Sequence, residues 1–186
     1  MITDEALMLA VADGDMEAFD TLVRRHQQAA WSTAFRFLRN EDDARDIVQS
    51  AFIKLLEAAP RYRPTAALKT FLTCIVTRLC LDWVEKKRPV AMAVLPETAD
   101  PSPSQERAML DDGLAAAVRG ALSALGASQR MALILRHYEE LSYAQIGEAM
   151  DLSPKAVERL LARGRLALRE AMEKAGGGGF LPLTRL

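Results

Sequence analysis

The chain has 186 residues, a formal net charge of −1 and an apolar fraction of 50%, which suits one large or two small packed domains and excludes a disordered polymer. No apolar run approaches the roughly 18 residues that a membrane span needs. The start, MITDEALMLAVADGD, lacks a basic stretch ahead of an apolar one, so it does not read as a secretory signal. A cytoplasmic protein with no membrane insertion of its own is the expectation.

Charge is unevenly spread. Residues 1–20 carry six acids (Asp4, Glu5, Asp13, Asp15, Glu17, Asp20) and no Lys or Arg. Two later stretches are basic. Residues 78–88 set Arg78, Lys86, Lys87 and Arg88 against Asp82 and Glu85. Residues 153–174 set Lys155, Arg159, Arg163, Arg165, Arg169 and Lys174 against Glu158, Glu170 and Glu173. Separate basic patches matter more for nucleic acid than the near-zero sum, although so modest an excess predicts weak DNA binding by the chain alone.

No segment alternates as a strand does, and apolar residues recur at threes and fours nearly throughout. In residues 18–38 the stripe is Phe19, Leu22, Val23, His26, Ala30, Ala34, Phe37 and Leu38. Asn40-Glu41-Asp42-Asp43 then interrupts the chain and opens a helix with acids at its positive end. That helix presents Ala44, Ile47, Val48, Ala51, Phe52, Leu55 and Leu56. Pro60 and Pro64 bracket a loop, and residues 68–87 form a helix apolar round much of its girth. Cys74 and Cys80 sit on it about 240° apart at roughly 100° per residue, and are read as small buried hydrophobes rather than a disulfide or metal pair.

Pro89, Pro96, Pro101 and Pro103 mark residues 90–112 as a linker, with an apolar patch at Val90–Leu95. Helices are expected again over 114–125 and 128–138. Ser142 with Gln145 makes a capping box, an interruption follows at Asp151-Leu152-Ser153, and Ser153 with Pro154 caps a further helix. Val157, Leu160, Leu161 and Leu168 face its core. Lys155, Glu158, Arg159, Ala162 and Arg163 share the opposite face, the stripe that a helix-turn-helix lays in the major groove. A solvated amphipathic hairpin is the bland alternative. The expected fold is all-α, with two small helical domains, residues 1–89 and 113–175, joined by a flexible linker over 90–112. Residues 176–186 are expected to form a disordered tail.

Two blocks carry a resemblance. AFDTLVRRH, DDARDIVQSAFIKLLEAAPRY and LKTFLTCIVTRLCLDWVEKKRP resemble region two of bacterial sigma-70 factors. LSALGASQRMALILRHYEELSYAQIGEAMDLSPKAVERLLARGRLALRE resembles region four. Both in this order, across residues 4–174, are similar to the compact extracytoplasmic-function group. The resemblance implies a specificity subunit that binds RNA polymerase core and aims it at −10 and −35 promoter elements. It also implies that region two helps open the duplex and that an anti-sigma factor restrains the protein. By position it implies contact of Asp46, Val48, Gln49 and Phe52 with the clamp helices of the largest polymerase subunits. It implies −10 contacts by Tyr62, Arg63, Lys69, Arg78, Lys86, Lys87 and Arg88, and −35 contacts by Lys155, Glu158, Arg159, Ala162 and Arg163. Ser50 replaces a commoner acid, Phe71 a commoner Trp, and Arg78 a commoner Asn.

Two other classes compete. A dimeric repressor with a helical sensor would bind palindromic half-sites alone, but the sequence offers no obvious dimer helix. For an enzyme, His26 and His137 are the only histidines. Metal-ligand spacing, a phosphate-binding Gly loop and a Ser-centred elbow are all lacking, so no enzymatic activity, cofactor or metal is expected.

Overall fold

Seven α-helices and one short 3-10 turn make up the computed structural model, which describes residues 2–64, 67–87, 120, 122 and 125–174, with no strand among them. They are α1 (Asp4–Ala12), α2 (Met16–Leu38), α3 (Glu41–Ala58), the turn Ala59–Arg61, α4 (Leu68–Lys87), α5 (Ala127–His137), α6 (Tyr143–Met150) and α7 (Pro154–Lys174). Arg88, the linker patch 90–95, most of the expected helix 114–125 and the tail lie outside the described residues.

Local chemistry places the helix starts. The Asp15 carboxylate accepts from the N–H groups of Glu17 and Ala18 at the head of α2. Asn40 does the same for Asp43 at the head of α3. Each satisfies donors that the first turn leaves orphaned. Arg39, with φ 60°, turns the chain between α2 and α3.

The first helix was not foreseen. Thr3 caps it by accepting from Ala6 N–H, and Asp4 and Glu5 sit in its first turn. It buries Leu7, Met8 and Val11. Asp4 then holds α1 on α2: its Oδ1 lies 2.7 Å from Arg25 Nη1 and its Oδ2 2.7 Å from His26 Nε2. Burial pushes the Asp4 carboxyl upward, but the hydrogen bonds from Arg25 and His26 and their charges outweigh it and hold the group below the ordinary carboxylate range. A depressed folded value means that the stabilisation is complete above the unfolded pKa, about 3.9, and is lost as pH falls through the lower folded value. Acid titration followed by circular dichroism is expected to lose helix first from α1 in that window. Asp4→Asn should show the looser α1 already at neutral pH and lose that part of the pH dependence.

Helices α2, α3 and α4 wrap one core, with Leu22, Phe37, Leu55, Leu68 and Val76 fully enclosed. Helices α5, α6 and α7 extend the same buried cluster around Met131, Ile134, Leu135, Ile146, Val157 and Leu161. The second group is seated on the first, with α6 along α4 and α5 against α2 and α4. This packing explains why both cysteines are buried although they point to different sides of α4. Burial pushes the Cys80 thiol up to about 12, so it is not a reactive thiolate. No helix among the described residues is long and apolar enough to cross a membrane.

Candidate nucleic-acid interface

Helices α6 and α7 form the expected helix-turn-helix, and its turn is tightly specified. Ser142 Oγ accepts from Gln145 N–H, while Gln145 Oε1 accepts from Ser142 N–H at 2.9 Å. At the other end Asp151 takes the left-handed conformation, φ 55° and ψ 47°. Its N–H donates to the Gly147 carbonyl, and Leu152 N–H donates to the same oxygen at 2.8 Å. Ser153 Oγ then accepts from Ala156 N–H at 3.2 Å and begins α7.

Helix α7 is anchored by Val157 and Leu161, both fully buried, with Leu168 nearly so. That fixes its other face outward. Lys155, Glu158, Arg159, Ala162 and Arg163 are all exposed, at i, i+3, i+4, i+7 and i+8, so they form one stripe over the first turns. Among the described residues Arg159 and Arg163 are engaged in no ion pair, which leaves both guanidinium forks available to base edges or phosphates.

On α3, Asp46 and Gln49 are exposed and Val48 is half-buried. Phe52 is 6% exposed, and its ring meets the edge of Phe19 at a centroid distance of 6.4 Å. Phe52 therefore sits in the core under the surface that Asp46 and Gln49 present. Ile53, 51% exposed, joins that surface at i+7 from Asp46 and i+4 from Gln49. The sequence reading left Ile53 out of the apolar stripe and gave it no role. Its signal was register, since it falls outside the stripe running through Ala51, Phe52 and Leu55.

Tyr62 is half-buried with its ring 5.9 Å from Phe71. Its hydroxyl is enclosed with no partner among the described residues. Burial, then Glu5, then Asp4 raise its pKa, so α1 reaches over this loop. Arg63 beside it is exposed.

The α4 cations do not form a single row. Lys69 and Arg78 are nine residues apart, about half a turn round the axis, and meet different neighbours. Lys69 Nζ is 3.2 Å from Glu139 Oε2, and Arg78 Nη2 donates to the Glu148 carbonyl at 2.9 Å. Lys87 Nζ lies 3.0 Å from Asp43 Oδ2 and 4.5 Å from the Trp83 ring centre, which ties the end of α4 to the start of α3. Lys86 is exposed. The structure thus gathers Lys86 and Lys87 at one helix end, sets Tyr62 and Arg63 at the loop before α4, and leaves Lys69 and Arg78 on opposite sides.

Comparison with known proteins follows the same division. The sigma-70 region 2 family model matches residues 22–90, and the sigma-70 region 4 model matches residues 115–168. The extracytoplasmic-function RNA polymerase sigma factor SigE of Mycolicibacterium smegmatis is 33% identical over 181 residues, covering 92% of this chain and 70% of that protein. The RNA polymerase sigma-H factor of Pseudomonas aeruginosa is 32% identical, covering 91% and 94%. The extracytoplasmic-function sigma-E factor of Escherichia coli is 30% identical, covering 90% and 93%. Among solved structures, CnrH in complex with the cytosolic domain of CnrY matches with a TM-score of 0.68 at 24% identity, covering 92% of this chain and 97% of that one. The sigma factor RpoE of Bartonella quintana, in complex with the anti-sigma factor NepR, matches with a TM-score of 0.68 at 22% identity, covering 83% and 96%.

Proposed function

Because this chain belongs to the extracytoplasmic-function group of the sigma-70 family, we propose that it mounts on RNA polymerase core in the cytoplasm and aims it at promoters with two separated grips. Region two, about residues 1–89, meets the core and the −10 element. Region four, about residues 113–175, meets the −35 element. The linker over 90–112 reaches about 75 Å when extended. The observation that carries this reading is the exposed stripe of Lys155, Arg159 and Arg163 on a helix whose other face is locked by Val157 and Leu161.

The weak overall charge fits the same scheme. Each grip alone is feeble, and tethering both to polymerase turns the second contact into an intramolecular one with a high effective concentration. Asp46, Gln49 and Ile53 form the surface for the clamp helices of the largest subunits, with Val48 at its margin and Phe52 supporting it from below. Tyr62 and Arg63 take an unstacked −10 base, the ring by stacking and the cation by charge. Lys69, Arg78, Lys86, Lys87 and Arg88 take strand phosphates, and region two aids melting by holding the displaced strand. The role is non-enzymatic, since the polymerase supplies the chemistry. An anti-sigma factor restrains the protein, a reading supported by the fold shared with a sigma factor solved with NepR.

In vitro transcription with core polymerase on a genomic library tests the whole scheme, and defined RNA 5′ ends are the expected product. Gln49→Ala is expected to weaken core binding about tenfold while leaving the thermal midpoint unchanged, as loss of one polar interface anchor would. Co-sedimentation with core measures it. An unchanged affinity would move the contact elsewhere on α3.

A further inference from the structure

The outward stripe of α7 holds one acid among its cations. Lys155, Glu158, Arg159, Ala162 and Arg163 are exposed, while Val157 and Leu161 at their back are fully buried. At about 100° per residue, Glu158 and Ala162 form one border of the stripe and Arg159 and Arg163 the other, with Lys155 between them. Glu158 is engaged in no ion pair among the described residues, although Lys155 lies three positions before it. The positions where a helix would seat a cation for it, i+3 and i+4, hold Leu161 and Ala162. Capping does not account for the acid either. Ser153 Oγ already accepts from Ala156 N–H, and Glu158 is the fifth residue of α7, beyond the first turn where a carboxylate helps the helix dipole.

A carboxylate in that place constrains what the stripe can face. Phosphate oxygens repel it, so it adds nothing to backbone affinity. On the major-groove edge guanine offers only acceptors, O6 and N7, and thymine offers O4 beside a methyl group. Either sets an acceptor against the unpaired charge. Adenine has a donor at N6, but its N7 acceptor lies alongside and meets the second carboxylate oxygen. Cytosine alone presents an amine, at N4, with no acceptor of its own beside it. Its guanine partner then turns O6 and N7 towards the cations that flank Glu158 in the chain, Lys155 and Arg159. Attraction to one base and repulsion from the others act together, which is how an unpaired charge sharpens a choice.

We infer that Glu158 is a specificity-determining residue of the upstream grip and selects cytosine at one position of the −35 element. This rests on the assignment of the α7 stripe to that element. The chain thus recognises a class of promoter whose upstream element holds a G·C pair with its cytosine on the side of Glu158. Away from such a pair the carboxylate weakens the grip, so the three cations of the stripe do not hold DNA indiscriminately.

Core polymerase loaded with the full chain, transcribing templates with a randomised upstream element, reads base preference position by position in the RNA output. The unmodified chain is expected to favour cytosine about tenfold at one position, as one good base contact would. Glu158→Gln should turn that preference to adenine there and nowhere else, because an amide donates to N7 while accepting from N6. Glu158→Ala should flatten the position and raise binding of the loaded polymerase to a random-sequence duplex severalfold, the repulsion from phosphate being gone. Glu170→Gln removes an exposed acid further along α7 and should change neither reading. An upstream preference without a cytosine position, one that survives both Glu158 variants, or one erased equally by Glu170→Gln overturns the inference and leaves the upstream grip in place. No defined RNA 5′ end, or an upstream element without any base preference, overturns the proposed function along with it.

Discussion

Arg163→Ala is expected to reduce initiation at promoters with a strong upstream element about tenfold, equivalent to about 1.4 kcal/mol and within the range for one bidentate base contact. Core association should not change, because Arg163 stands on α7 and the surface proposed for polymerase stands on α3. The exposed stripe makes the test clean: Arg163 is solvent-facing, and its removal opens no cavity. Arg159→Ala should behave alike, and the double variant should lose about 100-fold if the two act independently. Being i and i+4 neighbours, they are close enough to share a base step, and any shortfall from that product measures the sharing. Arg163→Lys separates the two modes of contact. A phosphate clamp tolerates Lys as a point charge, whereas a base edge needs the planar fork. Salt titration gives the complementary reading, since loss of one phosphate contact lowers the slope of log affinity against log salt by about one. Parallel loss of core binding and initiation would make the helix structural.

Much of the helical frame was legible because caps and stripes are local signals. Asn40 before three acids, the Ser142–Gln145 box and Ser153-Pro154 each mark a boundary that the structure keeps. Helix α1 escaped because its apolar residues surround it, Leu7, Met8 and Val11 inward and Leu9 exposed, so no stripe stood out. Its signal was the cap, Thr3 ahead of Asp4 and Glu5. The seam could not be read at all. Thr33 and Lys69 meet Glu139, and Arg78 meets Glu148, as isolated polar partners far apart in sequence, and no periodicity encodes such pairs. Phe52 illustrates a different limit. It lies in a run that the family resemblance marks for polymerase contact, and the structure buries it beneath the exposed Asp46 and Gln49. For Lys69 and Arg78 the arithmetic was available: nine helical residues put them on opposite sides of α4.

A Gly147→Ala chain is expected to lose about 2 kcal/mol of stability, although Ala is the better helix former by about 1 kcal/mol. The reason lies in the turn. Gly147 is a helical residue in α6, and its carbonyl accepts from both Asp151 and Leu152, which folds the chain back over it. A methyl group built on Gly147 would collide with the Leu152 carbonyl oxygen. That oxygen is backbone and cannot rotate aside, so relief requires moving Leu152, Ser153 and the start of α7. Overpacking of this kind costs about 1–3 kcal/mol, and contact with rigid backbone places it at the upper end, which more than cancels the gain in propensity. Gly164 supplies the contrast. A methyl group there meets Leu133 Cδ1 at 3.3 Å and Gln129 Cβ at 3.6 Å, side-chain atoms that can yield, so Gly164→Ala should change stability by less than about 1 kcal/mol. Thermal melts of the two variants separate the cases: Gly147→Ala should fall by about 6 °C, on a scale of roughly 2–4 °C per kcal/mol for a packed chain of 186 residues, while Gly164→Ala should hardly move. The functional trace should follow the turn, because displacing Leu152 and Ser153 re-aims α7. Gly147→Ala should lose −35-dependent initiation at temperatures where the chain is still folded, with core binding through α3 retained. A Gly147→Ala chain as stable as the parent would mean that the turn is looser than its two hydrogen bonds to one carbonyl suggest.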